Sequence, residues 1–132
     1  MGQLETPLVL VLEPQRALAE AIGIALRGAG LQVVSCRHAA EAVPAVAFHR
    51  PSVVVIDVGA DDGHGWDVLA AARDHGHLPA IVLDADDDAA VRRAAYAAGA
   101  DDVLPTTVDP ADLAARVVAL ARRARPDAPG GT

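Results

Sequence analysis

Short runs rich in valine, leucine and isoleucine alternate along the chain with alanine-rich segments. The apolar runs occupy residues 8–12, 32–35, 53–56, 80–83 and 102–104. In the segments between them apolar residues recur at helical spacing, as in Leu18, Ile22 and Leu26, which are four residues apart. The pattern predicts five strands and five helices in strict alternation.

The first and third runs, LVLVL and VVVI, are apolar at every position. This is typical of strands in a parallel sheet that helices cover on both faces. Strict alternation therefore predicts an α/β, doubly wound fold in a single domain over residues 1–125. Residues 126–132 are rich in proline and glycine and are expected to form a flexible tail or linker.

Composition narrows the class of protein. The 132 residues carry a net charge of −7, and all 11 basic residues are arginine. We expect no direct nucleic-acid contact and no membrane contact through charge. No apolar run approaches the length of a membrane span and no secretory signal is visible, so a cytoplasmic location is expected. Cys36 is the single cysteine, which excludes an internal disulfide.

In an open parallel sheet, functional groups collect at the carboxyl ends of the strands. Several polar or special residues follow the first, third, fourth and fifth strands at this edge. They are Glu13, Pro14, Asp57, Gly59, Asp84, Ala85, Thr106 and Thr107.

These residues and their spacing resemble the receiver domain of bacterial two-component response regulators, over roughly residues 8–125. The matching pieces are PSVVVID ending at Asp57 with Gly65 eight residues on, GADD ending at Asp102, and DPADL opening the last helix. The resemblance implies a five-stranded sheet in the order 2-1-3-4-5 and a role in phosphorelay signalling. It also implies a sensor histidine kinase as partner and the regulation of transcription as output.

The resemblance assigns a role to each position after the first and third strands. Asp57 matches the aspartate that accepts the phosphoryl group. Glu13 matches the first of two acids that hold Mg²⁺ together with that aspartate, whereas Pro14 stands at the second position. Since proline offers no side-chain oxygen, a Mg²⁺ site at Glu13 and Asp57 is expected to be weak.

The positions after the fourth strand and around the fifth strand also depart from the family pattern. Asp84 replaces the serine or threonine that binds the phosphoryl group, and is expected to point into the site, while Ala85 matches the small residue after it. Thr106 and Thr107 replace a Lys-Pro pair, and Val103 replaces the aromatic residue that changes rotamer as a switch. Because the chain has no lysine, no shift in alignment restores that cation.

These departures favour an atypical receiver with weak or no dependence on phosphorylation. One alternative is a small-molecule sensor whose pocket is lined by Glu13, Asp84, Thr106 and Thr107. Another is a conventional receiver that is phosphorylated at Asp57 despite the losses. An enzyme is not expected, because a phosphohydrolase of the haloacid-dehalogenase type needs an aspartate at the position of Gly59.

The fourth helix, fifth strand and fifth helix form a surface that receivers often use to dimerise. Residues of mixed charge on this surface favour a homodimer with intersubunit ion pairs, and a solvated face is the alternative. They are Arg92, Arg93, Tyr96, Asp101, Asp102 and Arg116. The arginine-rich last helix and the tail resemble the junction to a DNA-binding output domain. The chain is therefore either a stand-alone receiver or part of a longer regulator.

Overall fold

Five strands and six helices alternate over residues 6–123, which are the residues that the computed structural model describes. The strands are β1 (Leu8–Leu12), β2 (Gln32–Cys36), β3 (Val53–Asp57), β4 (Ala80–Asp84) and β5 (Asp102–Pro105). The helices are α1 (Arg16–Gly28), α2 (Ala39–His49), α3 (Ala60–Gly63), α4 (Gly65–Asp74), α5 (Ala89–Ala97) and α6 (Pro110–Arg123). None of these helices is long and apolar enough to cross a bilayer. The predicted tail lies outside the described residues.

The sheet is parallel throughout and has the order β2-β1-β3-β4-β5, which confirms the predicted fold. Every residue of β3 and β4 is buried, because helices cover both faces. Alternate side chains of each strand enter different clusters. Leu10 packs towards α2 and α4, whereas Val9 packs towards α1 and α6.

The predicted third helix is divided in two. Asp61 and Asp62 have left-handed backbone angles, with φ of 53° and 59°, so α3 is a single irregular turn ahead of α4. Aspartate tolerates this conformation better than most residues. The helices predicted as fourth and fifth correspond to α5 and α6.

Gly65 begins α4 in close contact with the end of β3. A Cβ atom at this position would lie 2.3 Å from the carbonyl oxygen of Asp57 and 2.6 Å from the Cα of Val58. Both neighbours are backbone atoms that cannot turn away. The absence of a side chain at Gly65 therefore sets how closely α4 approaches the strand that ends in Asp57.

We expect Gly65→Ala to destabilise the fold by about 1–3 kcal/mol, because β3 and α4 must separate to admit the methyl group. Gly28→Ala is the matched control. A Cβ at Gly28 meets nothing within 4 Å, and alanine is the better helix former. Urea unfolding followed by circular dichroism measures both changes. Equal stability of the two variants would contradict this account of Gly65.

Candidate functional site

The carboxyl ends of β1, β3, β4 and β5 bring the predicted functional residues to one edge of the sheet. Leu12 of β1 pairs with Ile56 of β3 in the register of the sheet. Glu13, the residue after β1, therefore lies beside Asp57, the last residue of β3. Asp57 itself pairs with Leu83, directly before Asp84. The edge therefore carries three acidic residues on adjacent strands, and all three are buried.

Glu13 is fully buried, with none of its surface exposed. Its Oε2 atom accepts a hydrogen bond of 3.0 Å from the backbone N–H of Gln15. Its Oε1 atom is buried and accepts no hydrogen bond from any described residue. A carboxylate with an unsatisfied oxygen in this position is costly, because burial removes the water that would solvate the charge.

Asp57 ends β3 and is 7% exposed. Its Oδ1 atom accepts a hydrogen bond of 2.9 Å from the backbone N–H of Gly59, which orients the carboxylate. Burial is the main cause that raises the pKa of Glu13 to about 7 from its ordinary 4.5, and the nearby charge of Asp57 adds to it. The hydrogen bond from Gln15 acts in the opposite direction. Glu13 therefore keeps a proton up to about neutral pH.

Asp84 is buried, but both of its oxygens are occupied by the loop that follows β4. Oδ1 accepts from the backbone N–H of Asp86 at 3.2 Å, and Oδ2 accepts from that of Asp88 at 2.7 Å. Asp88 in turn caps α5, because its Oδ1 atom accepts a hydrogen bond of 2.7 Å from the backbone N–H of Ala90. Asp84 thus organises the loop between β4 and α5, while Ala85 lies exposed on it.

The positions after β5 carry no cation. Thr106 is half-buried and Thr107 is exposed, and both lie in the turn before α6. Val103, at the position of the aromatic switch, is 9% exposed and packs in the cluster that contains Leu10. A valine has little rotamer freedom, so this position holds no side chain that swings between core and solvent.

Asp61 has a structural role at this edge that sequence reasoning missed. Its Oδ2 atom accepts a hydrogen bond of 2.6 Å from the backbone N–H of Ala39, the first residue of α2. Its Oδ1 atom lies 3.3 Å from Nδ1 of His38. The bond from Ala39, and next that from His38, lowers the pKa of Asp61. No sequence pattern signals a contact between residues 22 positions apart.

Several residues of the predicted dimer surface form hydrogen bonds and ion pairs with other residues of the same chain. Asp102 accepts from the hydroxyl of Tyr96 on α5 at 3.3 Å and from Arg116 on α6 at 2.5 Å. Arg92 pairs with Asp87 at 3.0 Å. These charges therefore form intrachain contacts, and the predicted intersubunit pairs are not required to satisfy them.

Two of the six residues predicted for this surface, Arg93 and Asp101, take part in none of these contacts. Arg93 is exposed on α5. Asp101 accepts a hydrogen bond of 2.8 Å from the backbone N–H of Ala80, at the amino edge of the sheet. Asp101 is thus directed towards the start of β4, away from the contacts that Asp102 makes.

The described part of the chain contains no group of three or more His, Cys, Asp and Glu side chains that could hold a metal ion. His75 and His77, which are close in sequence, are both exposed.

A parallel sheet in this order, with an aspartate ending β3 beside a buried acid after β1, is the arrangement that the resemblance to receiver domains predicts. A family model described as "Response regulator receiver domain" matches residues 9–118. The chain belongs to this family, as its resemblance predicts. The family is one of signalling domains and not of enzymes, in agreement with the expectation from Gly59.

Curated relatives and solved structures agree with this assignment. The chain is 37% identical over 116 residues to the transcriptional regulatory protein KdpE of Mycobacterium tuberculosis, covering 88% of this chain and 51% of that protein. It is 38% identical over 120 residues to the response regulator MprA of a Mycobacterium species, covering 90% and 52%. The chain thus spans about half the length of the curated relatives it matches.

Among solved structures, the receiver domain of Francisella response regulator 1452 superposes with a TM-score of 0.83 at 25% identity. That match covers 91% of this chain and 100% of the other. A CheY-like receiver domain protein from Methanospirillum hungatei superposes with a TM-score of 0.85 at 17% identity, covering 94% and 100%, and so shares the fold.

The raised pKa of Glu13 gives a pH dependence of stability with a definite sign. Between pH 4.5 and about 7 the folded chain binds a proton at Glu13 that the unfolded chain has released. The contribution of Glu13 to stability is therefore complete below pH 4.5 and is lost as the pH rises through 7. A shift of this size corresponds to at most about 3 kcal/mol.

We expect the Glu13→Gln variant to lack this loss, because glutamine stays neutral and keeps an acceptor for Gln15. Its stability relative to the wild-type chain should rise between pH 5 and pH 8, as measured by urea unfolding at each pH. Glu20→Gln, the same change at an exposed position of α1, is the control and should leave the pH profile unchanged. A parallel profile for Glu13→Gln and the wild type would refute the raised pKa of Glu13.

Proposed function

We propose that this chain is an atypical receiver domain that acts in two-component regulation of transcription with weak or no dependence on phosphorylation of Asp57. The observation that supports the proposal is the negative charge, without a paired cation, at the edge formed by the carboxyl ends of the strands. Among residues 6–123, no arginine or histidine forms an ion pair with Glu13, Asp57 or Asp84. The chain also contains no lysine.

Phosphorylation would place further negative charge among these acids. A carboxylate oxygen of Asp57 attacks the phosphorus atom, and the bond from phosphorus to the donor breaks as the donor leaves with the electron pair. The product carries about −1.5 to −2 charges at pH 7, where the free carboxylate carried one. Protein catalysis of this step consists almost entirely of positioning and of neutralising that charge.

Among the described residues no cation pairs with Asp57, and the hydrogen bond that its carboxylate accepts comes from the backbone N–H of Gly59. Asp84 is an acceptor already engaged with Asp86 and Asp88, so it offers no donor where the family has a hydroxyl group. Like charges about 4 Å apart cost roughly 4 kcal/mol at an effective dielectric constant of 20. Thr106 can donate a hydrogen bond but brings no positive charge, which supports slow or weak phosphotransfer.

Mg²⁺ fits the edge as a weak, two-carboxylate site. Glu13 and Asp57 would hold the ion, since Oε1 of Glu13 is a buried oxygen without a donor, and one or two carboxylates with water are the usual protein ligands of Mg²⁺. When bound, the ion supplies part of the missing positive charge. Glu13 must lose its proton first, and Pro14 contributes no third carboxylate, so both features weaken the site.

The proposed output is a protein contact. Tyr96 is 45% exposed and Arg93 is exposed on the same helix, which leaves both available to a second copy across α5, β5 and α6. The relatives are named as a transcriptional regulatory protein and a response regulator. We therefore propose a sensor histidine kinase as partner, a homodimer through this surface, a cytoplasmic location, and a linker role for residues 126–132.

The direct test is the intact mass of the chain after incubation with acetyl phosphate and Mg²⁺. We expect little or no phosphoryl transfer to the wild type. The triple variant Pro14→Asp, Asp84→Thr, Thr106→Lys restores the second acid, the hydroxyl group and the cation. It should be phosphorylated roughly 1000-fold faster, the rate equivalent of about 4 kcal/mol.

Asp57→Asn in the triple variant is the control for the modified position and should gain no mass. Rapid, stoichiometric phosphorylation of the wild type that disappears in Asp57→Asn would establish a conventional receiver and end this proposal. Circular dichroism of each variant confirms that a lack of modification reflects the site rather than loss of the fold.

A further inference from the structure

A cavity of about 570 Å³ lies at the amino edge of the sheet, opposite the edge that carries Asp57. The segments that precede β3, β4 and β5 line it together with the end of α6. Its size falls within the range of small-molecule sites in proteins. The residues of the small-molecule pocket predicted from the sequence do not line this cavity, so the two sites are separate. Those residues are Glu13, Asp84, Thr106 and Thr107.

The wall of the cavity is basic although the chain as a whole is acidic. Arg50, His77 and Arg123 line it, and the one acidic residue of the wall is Asp101. Asp101 is engaged with the backbone N–H of Ala80. Within residues 6–123 neither arginine of the wall forms an ion pair. Guanidinium groups suit carboxylates and phosphates because they donate two parallel hydrogen bonds.

Two of these basic residues have left-handed backbones. The φ angles of Arg50 and His77 are 49° and 57°. This conformation costs an L-residue about 1–2 kcal/mol, and glycine would adopt it freely. The other non-glycine residues with positive φ are Asp61, Asp62 and Asp87, all in loops at the carboxyl edge. At Arg50 the left-handed backbone belongs to the C-cap of α2, which is a common way for a helix to end.

The remainder of the wall is largely apolar. Pro51, Leu78, Pro79 and Leu120 contribute to it. We propose that the cavity binds a small organic anion, a carboxylate or a phosphate monoester with an apolar body. Arg50 and Arg123 hold the anionic group, and the apolar body lies against the proline and leucine side chains. This site is independent of the phosphorylation state of Asp57.

The test is a titration of the full 132-residue chain, labelled with ¹⁵N, followed by NMR. The probes are phenyl phosphate, benzoate, inorganic phosphate and benzyl alcohol. We expect saturable shifts at the amides of Ser52 and Leu78 with phenyl phosphate or benzoate. Inorganic phosphate, which lacks the apolar body, and benzyl alcohol, which lacks the charge, should each bind at least about tenfold more weakly.

Variants assign the binding to the two arginines. Arg50→Gln and Arg123→Gln should each raise the Kd by about tenfold, since each removes one charge-assisted contact. Arg16→Gln removes the same charge from an exposed position at the start of α1, outside the cavity, and should leave the Kd unchanged.

Several results would overturn the proposal. They are the absence of saturable shifts with both organic anions, shifts centred on Asp57 and Thr106, and equal weakening by Arg16→Gln. The alternative role of Arg50 and Arg123 is to stabilise the negative carboxyl-terminal ends of α2 and α6. In that case Arg50→Gln and Arg123→Gln would each lower the stability of the fold, and the wild type would bind none of the probes. That pattern also rejects the site.

Discussion

Two carboxyl groups buried side by side, Glu13 and Asp57, are the constraint on which the chemistry of this domain depends. The parallel sheet causes the burial, because helices cover both of its faces and adjacent strands end at the same edge. Desolvation, together with the charge of Asp57, then favours a proton on Glu13. A metal ion held by both carboxyl groups would have to displace that proton.

Two other acidic residues at this edge hold the neighbouring segments in place. Asp84 accepts hydrogen bonds from two backbone N–H groups of the loop before α5, and Asp61 accepts one from the first backbone N–H of α2. Backbone N–H groups are thus the main partners of both carboxylates, and His38 lies beside Asp61 as well. The carboxyl edge is acidic, whereas the amino edge collects Arg50 and Arg123 around a cavity.

The architecture and the central acids could be predicted from the sequence, because they depend on local patterns. Short, continuously apolar runs and the acidic residue after each of them locate Glu13 and Asp57 without any tertiary information. Contacts between distant residues could not be predicted in this way. Asp61 reaches Ala39 only because the chain takes left-handed angles after β3, and Asp102 satisfies both Tyr96 and Arg116 within one chain. Such contacts depend on side-chain geometry that spacing does not encode.

The two edges of the sheet are connected by β5. Asp101 lines the amino-edge cavity, and the next residue, Asp102, joins α5 to α6. Val103, which follows, is branched, buried and stiff, so a rotamer change of its side chain does not connect the two edges. A ligand shifts an equilibrium only through its different affinity for two states. An anion in the cavity would therefore influence the surface of α5 and α6 only if its affinity differed between two positions of Asp101.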